Sequence, residues 1–179
     1  MRRLMKFLHT IGAIGLMGAM ACLLVMLAYT SPPSRLAEYA AMRGAMGGIA
    51  TWILLPSLGL TLVAGLVAMA LNSNYQNAPW ALVKLATGIL VFEWGFAGMV
   101  GPMQDEAELS AKVLAGGADA AALAASFSAE QGSLWILLGI AALNVVLGVW
   151  RPRFARLRRR QSDGATHAPV ANVVRDQSL

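Results

Sequence analysis

Few side chains in this 179-residue chain can do chemistry, and three of them stand inside long apolar runs. His9 lies near the start of the run Phe7–Tyr29, while Lys84 and Glu93 interrupt the run Trp80–Val100. An imidazole can ligate a metal or pass a proton, an ammonium can hold an anion, and a carboxyl within a membrane titrates or pairs. In "WALVKLATGILVFEW" the base and the acid are nine residues apart. At about 100° and 1.5 Å per residue they fall on opposite sides of one helix, about 13 Å apart along its axis. They cannot pair within one helix. Lys84 shares its side with Thr87, Gly88, Gly95 and Gly98, and Glu93 shares its side with Leu82, Ile89, Phe96 and Val100.

Thioethers give a second chemistry. Met42/Met46 and Met99/Met103 are two pairs at helical i,i+4 spacing, and soft sulfur ligands suit Cu(I). Methionine is also a common gap-filler between helices, and the chain has ten. The single cysteine, Cys22, excludes an intrachain disulfide and every CxxC site. The two histidines, His9 and His167, cannot form HExxH, so hydrolytic chemistry is not expected.

The elements that must position these groups are membrane helices. Of the residues 58% are hydrophobic and 13% charged, against about 45–50% and about 25% in an ordinary soluble domain. Four apolar blocks stand out: Phe7–Tyr29, Met46–Leu71, Trp80–Val100 and Leu134–Trp150. Three of them exceed the roughly 20 residues needed to cross about 30 Å of hydrocarbon. The fourth is shorter but has Trp135 and Trp150 near its ends, where aromatic side chains suit the two interfaces. The expected fold is all-α: a four-transmembrane-helix bundle forming one domain over residues 1–150. "MRRLMK" and "GAMAC" resemble parts of a signal sequence, but the apolar run continues through Cys22 to Tyr29 and is longer than a usual signal core. A retained first span is expected.

Between the spans, Pro32-Pro33 should stop the first helix, followed by a short amphipathic helix ending near Gly47-Gly48. "NSNYQNAP" is short and uncharged, so spans two and three should be antiparallel neighbours. The alanine-rich, acidic segment Met103–Gly132 should form two surface helices divided at Gly116-Gly117. Gly12, Gly15, Gly18 and Ala19 in the first span, with Gly88, Gly95 and Gly98 in the third, are a packing signal, because small residues let membrane helices approach closely.

Lysine and arginine set the orientation. With both termini cytoplasmic, Arg2, Arg3, Lys6, Arg151, Arg153, Arg156, Arg158, Arg159, Arg160 and Arg175 lie inside, and only Arg35, Arg43 and Lys112 outside. A bacterial inner-membrane protein, N-in and C-in, is the expectation. Arg151–Arg160 directly follows the last span, so anionic lipid headgroups rather than nucleic acid are its expected partners. The polar remainder to residue 179 reads as a disordered cytoplasmic tail, in which His167 has no assigned role. Glu93 falls about 20 Å past Trp80, in the outer half of the crossing, where an ionised carboxylate facing lipid costs about 2.5–3.5 kcal/mol. It should be protonated, or buried at a contact between copies of the chain.

A resemblance adds to this reading. "LHTIGAIGLMGAM" looks like the first-span opening of the HemJ-type protoporphyrinogen oxidases. "PSLGLTLVAGL" is similar to their second-span pattern of Pro, Leu-Thr and Gly-Leu (here Pro56, Leu60-Thr61 and Gly65-Leu66), and "WALVK" resembles their Trp-x-x-x-Lys. CopD-type copper-resistance membrane proteins share such four-helix units. The resemblance covers roughly residues 7–100 and implies a bundle in which His9 and Lys84 are important, with haem b or porphyrin as cofactor. The chain departs from the oxidases at two places: "CLLVMLAY" has no arginine where they carry one, and Gly95 stands where they have a histidine. These departures point to a branch other than the oxidases. Copper handling or small-solute transport, and a structural subunit without ligand, remain the alternative classes.

Overall fold

Every regular element in the computed structural model is helical among the residues it describes, 1–71, 79–123 and 127–149. Helix α1 is Arg2–Tyr29. It ends before Pro32-Pro33, and the Thr30 hydroxyl donates to the Met26 carbonyl at 2.7 Å, taking up one of the terminal acceptors. Helix α2 (Leu36–Ile49) passes through a π turn (Ala50–Leu54) into α3 (Leu55–Ala70). Helix α4 (Pro79–Gly95) passes in the same way through a π turn (Phe96–Val100) into α5 (Gly101–Leu114). A 3₁₀ turn at Ala120–Ala122, capped by the Asp119 carboxylate, precedes α6 (Ser128–Val149).

The two π turns have one cause. The Leu55 N–H bonds to the Ala50 carbonyl and the Gly101 N–H to the Phe96 carbonyl, each five residues back, and each donor directly precedes a proline, Pro56 or Pro102. Proline lacks an N–H and its ring crowds the carbonyl four residues earlier, so an ordinary α turn there would break. A widened turn lets the helix continue. The expected stop at Gly47-Gly48 is therefore corrected: α2 runs on into the second span. Likewise the helix that contains the third span does not stop at Val100 but continues to Leu114. Gly116, with φ of 74°, does turn the chain after α5. The described residues beyond it hold only the short 3₁₀ turn rather than a second surface helix before α6. The expectations for residues 150–179, and for the Trp80 and Trp150 side chains, lie outside the described residues.

Four helices are long and apolar enough to cross a membrane: Arg3–Tyr29, Leu36–Ala70, Ala81–Leu114 and Ser128–Val149. The second and third have 35 and 34 residues, roughly 50 Å each at 1.5 Å per residue. Ala50–Ala70 alone spans about 30 Å, enough for the hydrocarbon. α2 and α5 therefore stand beyond it, packed against each other as a cap. The four spans close a ring: α1 packs on α3 and α6, and α4 packs on the same two. The core runs down the middle through Leu16, Met20, Leu23 and Leu27 of α1, Leu54 and Leu58, Val91, and Leu134 and Leu137 of α6. Outward the helices show Ile14, Val63, Leu90 and Val145, an apolar surface that suits lipid. The bundle thus has two distinct ends, a cap end that carries α2 and α5 and a terminal end that carries His9 and Lys84.

Candidate functional site

The α1–α3 seam holds the sequence-predicted histidine. Gly12 and Gly15 let α1 lie on Ser57 and Thr61 of α3: a Cβ added at Gly12 would fall 2.9 Å from the Thr61 backbone nitrogen and 3.2 Å from the Ser57 carbonyl oxygen. One turn nearer the terminal end, His9 Nδ1 lies 2.8 Å from the Thr61 carbonyl oxygen. A carbonyl can only accept, so Nδ1 carries the hydrogen, and in the neutral ring Nε2 keeps its lone pair. Gly65 makes room for the imidazole, since a Cβ there would come within 3.3 Å of Nδ1. The half-buried His9 is thus held in one orientation by Thr61 and Gly65, two residues of the second-span pattern of Pro, Leu-Thr and Gly-Leu. The Thr61 hydroxyl is buried beside Gly12 with no hydrogen-bond partner among the described residues.

Lys84 sits on the other side of the ring. It packs against α6, where a Cβ added to Gly148 would lie 2.9 Å from Nζ. One turn further toward the cap end, the Thr87 hydroxyl reaches Asn144 Oδ1 at 2.8 Å. The side of α4 that carries Lys84 is therefore the packed side, as its small residues imply, and Gly95 lies against Leu58 of α3. Gly18 and Gly88 differ from the expectation: a Cβ at either would meet nothing within 4 Å. His9 and Lys84 are held against different helices, α3 and α6.

Glu93 is exposed, as are Ile89, Leu90, Phe96 and Ala97, its neighbours one turn before and after. No other described side chain bonds to it. Three of the four candidate copper ligands, Met46, Met99 and Met103, are fully buried in one core with Met20, and Met42 packs against it. The two i,i+4 pairs do converge, but on an apolar core, where their packing is that of gap-fillers. The Thr30 hydroxyl touches Met46 Sδ at 3.9 Å. No group of three or more His, Cys, Asp or Glu side chains able to hold a metal occurs among the described residues.

At the cap end the structure holds a polar network that the sequence reading missed. Arg43, on α2, is wholly buried. Its guanidinium lies 5.5 Å from the Tyr39 ring centre and 4.7 Å from that of Phe127. Nη1 donates to Glu130 of α6 at 2.8 Å, and Nε donates to the Tyr39 hydroxyl at 3.3 Å. That hydroxyl in turn donates to Glu106 of α5. Burial, helped by the bond to Glu106, pushes the Tyr39 phenol up to about 12. Arg43 Nη2 has no partner among the described residues. The network ties α2, α5 and α6 together where the apolar bundle ends. A signal for it was present: Tyr39, Arg43, Met46, Ala50 and Leu54 recur at three- and four-residue spacing, and all are almost inaccessible. An arginine in such a stripe has to be paired.

No family model, no curated protein and no solved structure matches the chain.

Proposed function

We propose that this chain is an integral membrane protein of the HemJ/CopD-like kind that binds haem or porphyrin through His9. In this reading it sits in a bacterial inner membrane with both termini cytoplasmic and Arg151–Arg160 at the lipid headgroups. One observation carries the proposal: the Nδ1–H of His9 is committed to the Thr61 carbonyl at 2.8 Å. Metal-ligating histidines are oriented in this way, by a hydrogen bond on the ring nitrogen that does not ligate. The donor set fits a haem held by one imidazole, with Nε2 as the ligand atom. When bound, such a group supplies one-electron redox chemistry. The chain's own part is to fix the tautomer through Thr61, to keep the ring's space open at Gly65, and to bring the Lys84 ammonium to the same end of the bundle for an anionic edge. The orientation rests on the sequence, in which, Lys84 aside, ten basic residues flank the spans on the proposed inner side and three on the outer.

Haem titration into the protein purified in mild detergent tests this reading. A Soret band should appear at one equivalent, be lost in His9→Ala, and weaken in Gly65→Leu, which fills the ring's space. A band of equal intensity in His9→Ala, or none in the wild type, overturns it.

A further inference from the structure

We infer that the lipid-facing side of α4 is the contact with a second copy of this chain, closed by a pair of Glu93 carboxyls. Glu93 lies between stretches of α4 and its π turn that are packed on the inner side, yet it points outward with Ile89, Leu90, Phe96 and Ala97 exposed around it. It lies within a helix apolar enough to cross the membrane. A carboxyl there has no water to satisfy it, and within the described residues it has no partner. It therefore requires one from outside the protomer.

The chemistry of the group favours a second copy as that partner. Two chains inserted the same way and related by a twofold axis along the membrane normal bring identical residues to identical depth. Glu93 then meets Glu93. A carboxylic acid can donate to the carboxyl facing it and accept in return, so two copies satisfy each other without any cation. The other described cations do not offer an alternative: Lys84 is on the packed side of the same helix, Arg3 and Lys6 lie at the terminal end of α1, and Arg35, Arg43 and Lys112 belong to the cap. The same outward stripe carries Ala86 seven residues before Glu93 and Ala97 four after it, both exposed. Small residues flanking the polar one let two backbones approach, the arrangement that drives association in lipid where apolar contact with lipid is no worse than with protein.

The experiment measures dimerisation of the full chain in liposomes by single-molecule photobleaching over a range of protein-to-lipid ratios, for wild type, Glu93→Gln and Glu93→Leu. Disulfide trapping at Ala97→Cys in a Cys22→Ser background locates the contact, with Val63→Cys on the exposed side of α3 as the control. The wild type should dimerise and trap at position 97 but not at 63. Glu93→Gln, whose amide also donates and accepts, should dimerise similarly. Glu93→Leu should associate about tenfold more weakly, the effect expected of one lost interhelical polar contact. Helical content and melting of each variant in detergent report whether it still folds, and a Glu93→Leu protein that does not fold leaves the Gln variant and the trapping pattern to decide. A monomeric wild type, equal dimerisation of the Leu variant, or trapping at 63 instead of 97 overturns the inference.

Discussion

Gly12→Ala should loosen the α1–α3 seam and with it the histidine. The added Cβ would stand 2.5 Å from the Thr61 hydroxyl, 2.9 Å from the Thr61 nitrogen and 3.2 Å from the Ser57 carbonyl. The hydroxyl can rotate away, but the two backbone atoms cannot. Restoring an ordinary separation of about 3.4 Å from the nitrogen requires the helices to part by about 0.5 Å, an overpacking strain of about 1–3 kcal/mol. Alanine's better helix propensity returns up to about 1 kcal/mol. The net expectation is a loss of up to about 2 kcal/mol. A shift of that size would also stretch the 2.8 Å bond from His9 Nδ1 to the Thr61 carbonyl beyond the usual range for N–H···O. Gly18→Ala is the internal control, because a Cβ there meets nothing within 4 Å; it should be neutral or slightly stabilising. Reversible unfolding in lipid–detergent micelles, driven by an anionic detergent and followed by tryptophan fluorescence, measures both. Equal stability of the Gly12→Ala and Gly18→Ala proteins would refute the reasoning.

At the cap end, Arg43→Met should cost roughly 2–4 kcal/mol in the same assay. That is below the full range for breaking a buried pair because Glu130 is still 17% exposed. Adding Glu130→Gln to that variant should recover part of the loss, since the stranded carboxylate goes with it; strictly additive effects would deny the pairing. A raised Tyr39 pKa means that its neutral form stabilises the fold. Its contribution is full below the ordinary phenol value of 10 and is lost as pH climbs toward about 12. The difference in near-ultraviolet phenolate titration between wild type and Tyr39→Phe should show one late-titrating phenol, shifted earlier by Glu106→Gln.

Four spans were legible because apolar runs of sufficient length between polar segments leave few alternatives in lipid. The packed side of α4 was legible too, since Thr87 and Gly95 mark it by size alone. Helix ends were less so. Gly47-Gly48 reads as a stop in isolation, but a Cβ at Gly47 would sit 2.9 Å from that of Ala107, so this glycine serves close approach to α5 rather than termination. The π turns depend on how a helix adapts to Pro56 and Pro102, which propensity alone does not express. Arg43 and Glu130 are 87 residues apart, and nothing local in either segment names the other. For His9, the sequence supplied the residue, and the geometry supplied its tautomer and the atoms that fix it.

The paired π turns also set a rule for how the chain can change length. One residue added to or removed from a helix rotates everything beyond it by about 100° and shifts it by about 1.5 Å. Losing a residue from Ala50–Leu54 would therefore turn Arg43 away from Phe127 and Glu130 while the apolar side of α3 stayed in place. The same holds for Phe96–Val100 and Glu106. Phase between cap and bundle is locked at these two points, so insertions and deletions there are intolerable singly. The exposed stretch 115–117 lies beyond the locked hairpin, and its length can drift without disturbing the bundle so long as Ala118 and Leu123 keep their places against Tyr39.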